Sequence, residues 1–525
     1  MVSRPDRLAR TAMAGLASAG ADLVFGVPGG GPNIEMIESG AGVGMGFVLT
    51  HGEAAACIAA GTYGRLAGVP GGAVVTRGPG LASAANGVAQ ATLDRFPLVL
   101  LSDTIPAAHR DRIGHQKLDQ TQTMAPLTKW SGRLGFDNPT EAVGKAARIA
   151  LDPPAGAVHL DFDPTHPGDQ PPPNLPVPTV DGEDLLKARR LVAGSRRPIF
   201  LVGAGAAPIA KEVRAVVEEA GIPALVTYQA KGVIPDDSPS YGGLFTNSAA
   251  ERRLVDSADL IVAVELDPVE PMPGAWPYHS PVLALSTHPI MDSYYPATVE
   301  LNGRIDSILG DLAEGLSSAW PPGAGPEQNT RFREALEAES PGFSPLELVE
   351  TLIEAGPDDP VLTVDAGAHF LVIMPLWPVR RPLDLLISNG LATMGFALPA
   401  AIGAALARPD RPVMCLVGDG GLGMTMAELE TVARLDLDVT VVVFNDSTLS
   451  LIDVKRDPSS PLGPGLVRYG PTDFAMAARS MGLPGHVATR PRHVREALAA
   501  GSGPRLIDAR INPETYAHVI RETRG

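Results

Sequence analysis

The sequence has almost no cysteine. Cys57 and Cys415 are its only two, one in an Ala-rich stretch and one in an apolar run, which excludes a disulfide framework or a Cys-based zinc site and points to a reducing cytoplasm. It has no basic cluster either. Lys+Arg 42 against Asp+Glu 59 leaves a net charge of −17, so neither nucleic acid nor an anionic membrane surface is an expected partner. An anionic ligand must then be held locally, by a metal or by backbone N–H groups. No apolar run is long enough to span a bilayer: the longest, Phe396 to Ala407, is short and contains Pro399. The segment Met1 to Val27 has early arginines and an apolar stretch, but Asp22 interrupts it and no small-residue cleavage pattern follows, so it reads as a helix followed by a strand. Short-period repeats are lacking, as are low-complexity tracts outside the proline-rich linkers.

What is present is the composition of a globular α/β protein with many tight loops: 525 residues, 45% hydrophobic, with 57 Gly and 51 Pro. At roughly 150 residues per domain the length suggests about three domains. Short β-branched runs at Leu23 to Val27, Ala73 to Thr76 and Leu98 to Ser102 alternate with Ala-rich helical stretches, the pattern of parallel βαβ units. Proline density rises over Asp161 to Pro178, which reads as an extended linker. A second alternating block has strands expected at Pro198 to Gly203, Ala224 to Tyr228, Leu260 to Val264 and Val282 to Leu285, and ends at a second linker, Trp320 to Gln328. A third has strands expected at Pro360 to Val364, Val413 to Val417 and Val439 to Phe444. The expected fold is α/β, three doubly wound domains with mainly parallel sheets, over residues 1–165, 185–320 and 340–525.

The sharpest chemical signal is VMCLVGDGG, Val413 to Gly421, followed by TVVVFNDS, Thr440 to Ser447. In each a polar residue comes directly after an apolar strand. Ligands of open parallel sheets bind beyond the carboxyl ends of the strands, so Asp419 and Asn445 should emerge side by side there. A carboxylate and a carboxamide carbonyl are hard oxygen ligands of the kind Mg²⁺ takes when it also bridges diphosphate oxygens. Gly418, Gly420 and Gly421 let the backbone approach phosphate closely. Either piece alone reads more readily as a turn or a cap; the pair, with Asn445 placed 26 positions after Asp419, is far less accidental. It resembles the thiamine-diphosphate enzyme family, whose diphosphate motif is GDG, a spacer of this length, then Asn. That resemblance implies thiamine diphosphate and Mg²⁺ as cofactors, with Asp419, Asn445 and the carbonyl of Ser447 as metal ligands.

Further stretches carry the same resemblance. LTHGEAAACIAAGTYGRLAG, Leu49 to Gly68, has Glu53 as its only carboxylate, with Tyr63 and Arg65 following. A lone Glu in a first helical turn is ordinarily there for the helix dipole. In acetolactate synthase, benzoylformate decarboxylase and their relatives a glutamate so placed contacts the aminopyrimidine N1′. Glu53 would then share a proton with that nitrogen and help to activate the cofactor. SNGLATMGFALPAAIGAALA, Ser388 to Ala407, is similar to the segment in which a bulky residue bends the cofactor. Met394 would be that wedge, rather than the core filler a methionine usually is, and the Ala392 carbonyl would accept from the 4′-amino group. DAGAH, Asp365 to His369, resembles a loop that reaches the diphosphate, with His369 as a donor or else as a loop or capping residue. In HQKLDQTQTMAPLTKW, His115 to Trp130, Gln116 falls where a glutamine borders the substrate.

The resemblance spans nearly the whole chain and has the acetolactate synthase order of pyrimidine-binding, central and diphosphate-binding domains. It implies a lyase or transferase in a homodimer or homotetramer, with each active site formed between the first domain of one subunit and the third of another. The expected substrate is a small 2-oxo acid, with an aldehyde or second oxo acid as a further partner. The central block opens with LVGAGAAP, Leu201 to Pro208, which lacks the third glycine of a dinucleotide fingerprint. The Arg- and Asp-rich stretch of FAD-binding acetolactate synthases is replaced by VELDPVEPMPGAWPY, which argues against FAD. The expected function is a thiamine-diphosphate- and Mg²⁺-dependent 2-oxo acid decarboxylase or carboligase. A benzoylformate-type decarboxylase and a catalytically silent scaffold or regulatory homologue are the alternatives, although intact Glu53, Asp419 and Asn445 argue against silence.

Overall fold

The computed structural model describes residues 4–173, 178–290 and 294–524. Within them the chain forms three six-stranded sheets, every pairing parallel. The first contains β1 (Leu23–Gly26), β2 (Gly46–Leu49), β3 (Gly71–Val75), β4 (Leu98–Asp103), β5 (Trp130–Leu134) and β6 (Ala157–Phe162). The second contains β7 (Pro198–Val202), β8 (Ala224–Val226), β9 (Tyr241–Leu244), β10 (Leu260–Val264), β11 (Val282–Ser286) and β12 (Val299–Asn302). The third contains β13 (Val361–Val364), β14 (Leu385–Ile387), β15 (Val413–Gly418), β16 (Val439–Asn445), β17 (Gly485–Ala488) and β18 (Arg505–Arg510). Helices cover both faces, which is why the inner strands are buried along their whole length and read as unbroken apolar runs. No helix of the described residues is long and apolar enough to cross a membrane.

The first and third sheets have the same topology, β2-β1-β3-β4-β6-β5 and β14-β13-β15-β16-β18-β17. In each the chain reverses direction across the sheet between its first and third strands, and a crevice opens there at the carboxyl ends. The central sheet, β12-β11-β10-β7-β8-β9, has the dinucleotide-fold order, with its own switch point between β7 and β10.

The three units share cores. The helix Glu53–Ala67 of the first packs on the helix Ala397–Ala407 of the third. The helices approach closely because Gly403 has no side chain; a Cβ there would collide with the Ala59 carbonyl. Two sequence expectations need correction. Asp161 and Phe162, assigned to the first linker, are the last residues of β6, paired with Ser102 and Asp103; residues 174–177 of that linker lie outside the described set. Ala324 to Gln328, assigned to the second linker, begin the helix Ala324–Ala335. Pro326 is tolerated there because first-turn N–H groups have no intrahelical partner to lose.

Candidate active site

At the switch point of the third sheet a cavity of about 310 Å³ opens beyond β13, β15 and β16. Its lining includes His369, Ala392, Met394, Asp419, Gly420 and Gly421, with Tyr228 and Met272 added from the central unit. Asp419 is the first residue past β15 and is 4% exposed. Its Oδ2 accepts from the backbone N–H groups of Asp446 at 3.1 Å and Ser447 at 2.6 Å, while Oδ1 accepts from Gly420 N at 2.6 Å and the Tyr469 hydroxyl at 2.5 Å. Burial raises its proton affinity, and these four donors oppose that shift.

Asn445 ends β16. Its Nδ2 donates to Asp508 Oδ1 at 2.7 Å and to the Thr472 carbonyl at 3.1 Å. Both amide hydrogens are thereby spent on one side, and Oδ1 is left as the acceptor. Ser447 lies two residues on at φ +57°, a left-handed turn that redirects the backbone; its carbonyl accepts from Tyr469 N at 3.2 Å. Between them, Asp446 is pushed up to about 7, first by burial and then by the Asp419 charge.

The glycines leave room that larger residues would fill. A Cβ at Gly421 would collide with Asp365 Oδ2, and one at Gly420 would stand 3.3 Å from the Met394 methyl. His369 is the second residue of the helix Ala368–Leu376, is 3% exposed and stacks on Phe444 with ring centroids 5.2 Å apart. Burial pushes the imidazole down to about 3, so it is neutral, and its Nε2 is buried without a hydrogen-bond partner. A buried donor or acceptor left unpaired calls for a ligand or a water. The residues gathered at this strand end fit a phosphate-bearing cofactor held through a hard cation: the wall has a partnerless imidazole nitrogen, glycine backbone and a carboxylate, and the Asn445 carboxamide oxygen lies beside them at the end of β16. Met394 is only half-buried and faces the cavity, which separates it from a core filler. Ala392, at φ +54°, stands exposed on the same wall.

Glu53 is the first residue of its helix and is half-buried. The N–H groups of His51 and Gly52 just before it are satisfied by Glu428 Oε1, at 2.9 and 3.0 Å. The two N–H groups leading into the helix are therefore held by a residue of the third unit. Among the described residues the Glu53 carboxylate makes no hydrogen bond or ion pair, and its Oε1 lies 3.2 Å from where a Cβ at Gly80 would stand. Tyr63 bonds to Asp22 at 2.5 Å, and Arg65 reaches the Ala204 carbonyl of the central unit at 3.5 Å. Gln116, half-buried at φ +56°, packs against Gly78. The fold thus gathers Asp419, Asn445, Ser447, His369, Ala392, Met394 and Gly418 to Gly421 at the end of the third sheet. Glu53 and Gln116 belong to the corresponding end of the first, and among the described residues no first-unit residue lines the cavity.

Two groups escaped the sequence reading. Asp365, directly after β13, is fully buried and pushed up to about 6 by burial. It accepts from Gly395 N at 2.9 Å and Phe396 N at 3.0 Å, fixing the turn that presents Met394. Asp94 accepts from Ser388 Oγ at 2.7 Å, Asn389 N at 2.9 Å and Gly390 N at 2.5 Å, and Asn389 Nδ2 donates to the Glu270 carbonyl at 2.6 Å. The Ala392 wall is thereby tied to both other units. A carboxylate closing an apolar strand, the signal used for Asp419, would have found Asp365; nothing local to Asp94 announces its partners.

Comparison with known proteins agrees with this geometry. Residues 6–123 match the thiamine pyrophosphate enzyme N-terminal TPP binding domain, 185–310 the central domain and 365–509 the C-terminal TPP binding domain. The acetolactate synthase of Bacillus subtilis is 30% identical, with 95% of this chain and 92% of that protein covered. The catabolic acetolactate synthase of Raoultella terrigena is 29% identical over 95% and 94% of the two chains. The probable 2-ketoarginine decarboxylase AruI of Pseudomonas aeruginosa is 28% identical over 94% and 92%. With all three domain types present in order and full-length similarity of this kind, the chain belongs to the thiamine pyrophosphate enzymes.

Proposed function

We propose that the protein is a thiamine-diphosphate- and Mg²⁺-dependent enzyme that decarboxylates a 2-oxo acid and joins the remaining fragment to an acceptor, in the manner of acetolactate synthases. The observation that carries this reading is the convergence, at one crevice, of Asp419, the unspent Asn445 oxygen and the turned Ser447 backbone beside Met394, while Glu53 stands partnerless on another sheet. The bound cofactor would supply the carbon nucleophile and the electron sink. The protein's own contributions are binding, shape and proton affinity. Asp419, Asn445 and the Ser447 carbonyl would hold the cation, and Tyr469, bonded to the Asp419 carboxylate and the Ser447 carbonyl, would yield to it. His369 Nε2 would meet the phosphates, Met394 would enforce the cofactor's bend, and the Ala392 carbonyl would accept a hydrogen bond from its amino group. Glu53 would hold the proton at the pyrimidine, from a second copy of the chain, which makes the working unit a homodimer or homotetramer.

The central unit supports a cofactor set without FAD. The Ala204 N–H, two residues past β7, already donates to the Glu270 carboxylate at 2.9 Å, where a dinucleotide phosphate would otherwise bind. Both cysteines are free and buried, consistent with a reducing cytoplasm.

The test is calorimetry of thiamine diphosphate binding with and without Mg²⁺, for wild type and Asp419→Ala, followed by a 2-oxo acid panel with products identified by mass spectrometry. Binding should require the metal and vanish in the variant, and CO₂ release should accompany turnover. Unchanged affinity in Asp419→Ala would sink the metal assignment. Product consisting only of the aldehyde would favour simple decarboxylation, as the name of the AruI relative suggests.

A further inference from the structure

The first sheet repeats the topology of the third, so its carboxyl-end crevice has the same three contributors. Where the third unit places Asp365, Asp419 and Asn445 after its first, third and fourth strands, the first unit places the loop Gly29 to Gly31, the residues Thr76 and Arg77, and Asp103. These meet in space. A Cβ at Gly29 would stand 2.6 Å from Thr76, and one at Gly31 would stand 2.6 Å from Asp103 Oδ2 and 3.8 Å from Arg77 Nη1. The cluster reaches the proposed catalytic groups: Gly80 lies between Thr76 and Glu53, and Gly78 against Gln116. Arg77 is the only cation among the residues these contacts join.

Its surroundings leave much of its binding capacity unspent. Asp103, 1% exposed at the side chain, accepts from the Arg77 backbone N–H at 2.7 Å and from Nη1 at 3.2 Å. That single contact uses one of five guanidinium donors. Nε is buried with no partner, Nη2 makes no hydrogen bond among the described residues, and the side chain is 26% exposed. Asp103 therefore aims the guanidinium by its Nη1 corner without saturating it. Beside it the glycine loop contributes no side chains, and a Cβ at Gly30 would meet nothing within 4 Å. A planar fork held by a buried carboxylate next to open space is the arrangement that recognises a second carboxylate, sulfonate or phosphate.

We propose that Arg77 is a specificity-determining residue that binds an anionic group carried by the substrate away from its reacting carbonyl. The preferred donor or acceptor then has a charged distal end rather than an alkyl chain. This rests on the thiamine-diphosphate reading, which places the first-unit crevice over the reacting atoms.

The test uses the holoenzyme loaded with thiamine diphosphate and Mg²⁺. One arm compares donors with a second carboxylate, 2-oxoglutarate and oxaloacetate, with pyruvate and 2-oxobutyrate. A second arm holds the donor fixed and compares anionic with neutral aldehyde acceptors. Wild type should prefer the charged member in at least one arm, and that arm identifies which substrate Arg77 reads. In Arg77→Met the ratio of charged to uncharged kcat/KM should fall on the order of 100-fold, mainly through KM, with Arg77→Lys in between. A wild type that binds cofactor and turns over 2-oxo acids without charge preference overturns the Arg77 proposal alone. So does a variant that loses both substrate classes equally along with thermal stability, since Arg77 would then be a loop clamp. Absence of cofactor binding in wild type would instead overturn the underlying function.

Discussion

Glu53 shows how much one side chain's meaning depends on what its neighbours already do. A glutamate at the first position of a helix normally serves the orphan N–H groups and the dipole. Here Glu428 serves the adjacent N–H groups from another unit, and Glu53 is left without a partner. Its role can then be proton transfer, which is separable from binding. Glu53→Gln keeps the shape and removes the ionisable group, so cofactor affinity should fall modestly while turnover falls by about 10²- to 10⁴-fold. Hydrogen–deuterium exchange at the cofactor's thiazolium C2, with cofactor saturating, checks the cause: equal rates in wild type and variant would reduce Glu53 to a helix-end carboxylate. Of the site residues, those that close an apolar strand, Asp419 and Asn445, were legible from spacing. Asp94 was not, because its partners Ser388, Asn389 and Gly390 are nearly three hundred positions away and meet it only through tertiary packing.

At the scale of elements, the strands found from sequence are those buried on both faces, such as β7, β10 and β16, whose unbroken β-branched runs admit one reading. Those missed fall into two groups. Edge strands such as β2, β14 and β17 are only three or four residues long. Two inner strands, β6 and β18, carry buried polar residues in mid-run: His159 and Asp161 bonded through Ser102, and Asp508 holding Asn445. Their polarity is satisfied inside the fold, but in the sequence it breaks the pattern. In the central dinucleotide-type unit, an N–H group at the carboxyl end of β7 is already engaged by a side chain. Glu270 accepts from Ala204 N and Thr227 Oγ1 and is pushed up to about 8 by burial, so near neutral pH it remains largely protonated in the crevice. A flavin diphosphate would have to displace it. Purified protein should therefore lack a flavin absorbance spectrum; a band amounting to about one flavin per chain by the cofactor's own chemistry would overturn this reading of the crevice.

For the whole molecule, the division of the site residues between two sheets has a direct consequence. If Glu53 of one chain serves the metal site of another, Glu53→Gln and Asp419→Ala are each inactive but complementary. Random reassortment in a two-chain assembly makes half the molecules hybrids, each with one intact site and one doubly damaged site, so about a quarter of wild-type activity should return. Mixing after mild dissociation and measuring CO₂ release tests this. No recovery, with hybrids demonstrated by native mass spectrometry, would place each site within a single chain. The sequence by itself determined the three α/β units, the acidic and cysteine-poor character, and the identity of the strand-end oxygens, because periodicity and strand termination are local properties. Only the tertiary structure decided that Met394 faces a cavity, that Glu428 takes the N–H groups just before Glu53, that Glu270 engages Ala204 at the central crevice, and that Arg77 stands beside a glycine loop with most of its donors unspent. Each of those depends on which groups from distant segments are brought within hydrogen-bonding reach, and a one-dimensional pattern does not carry that information.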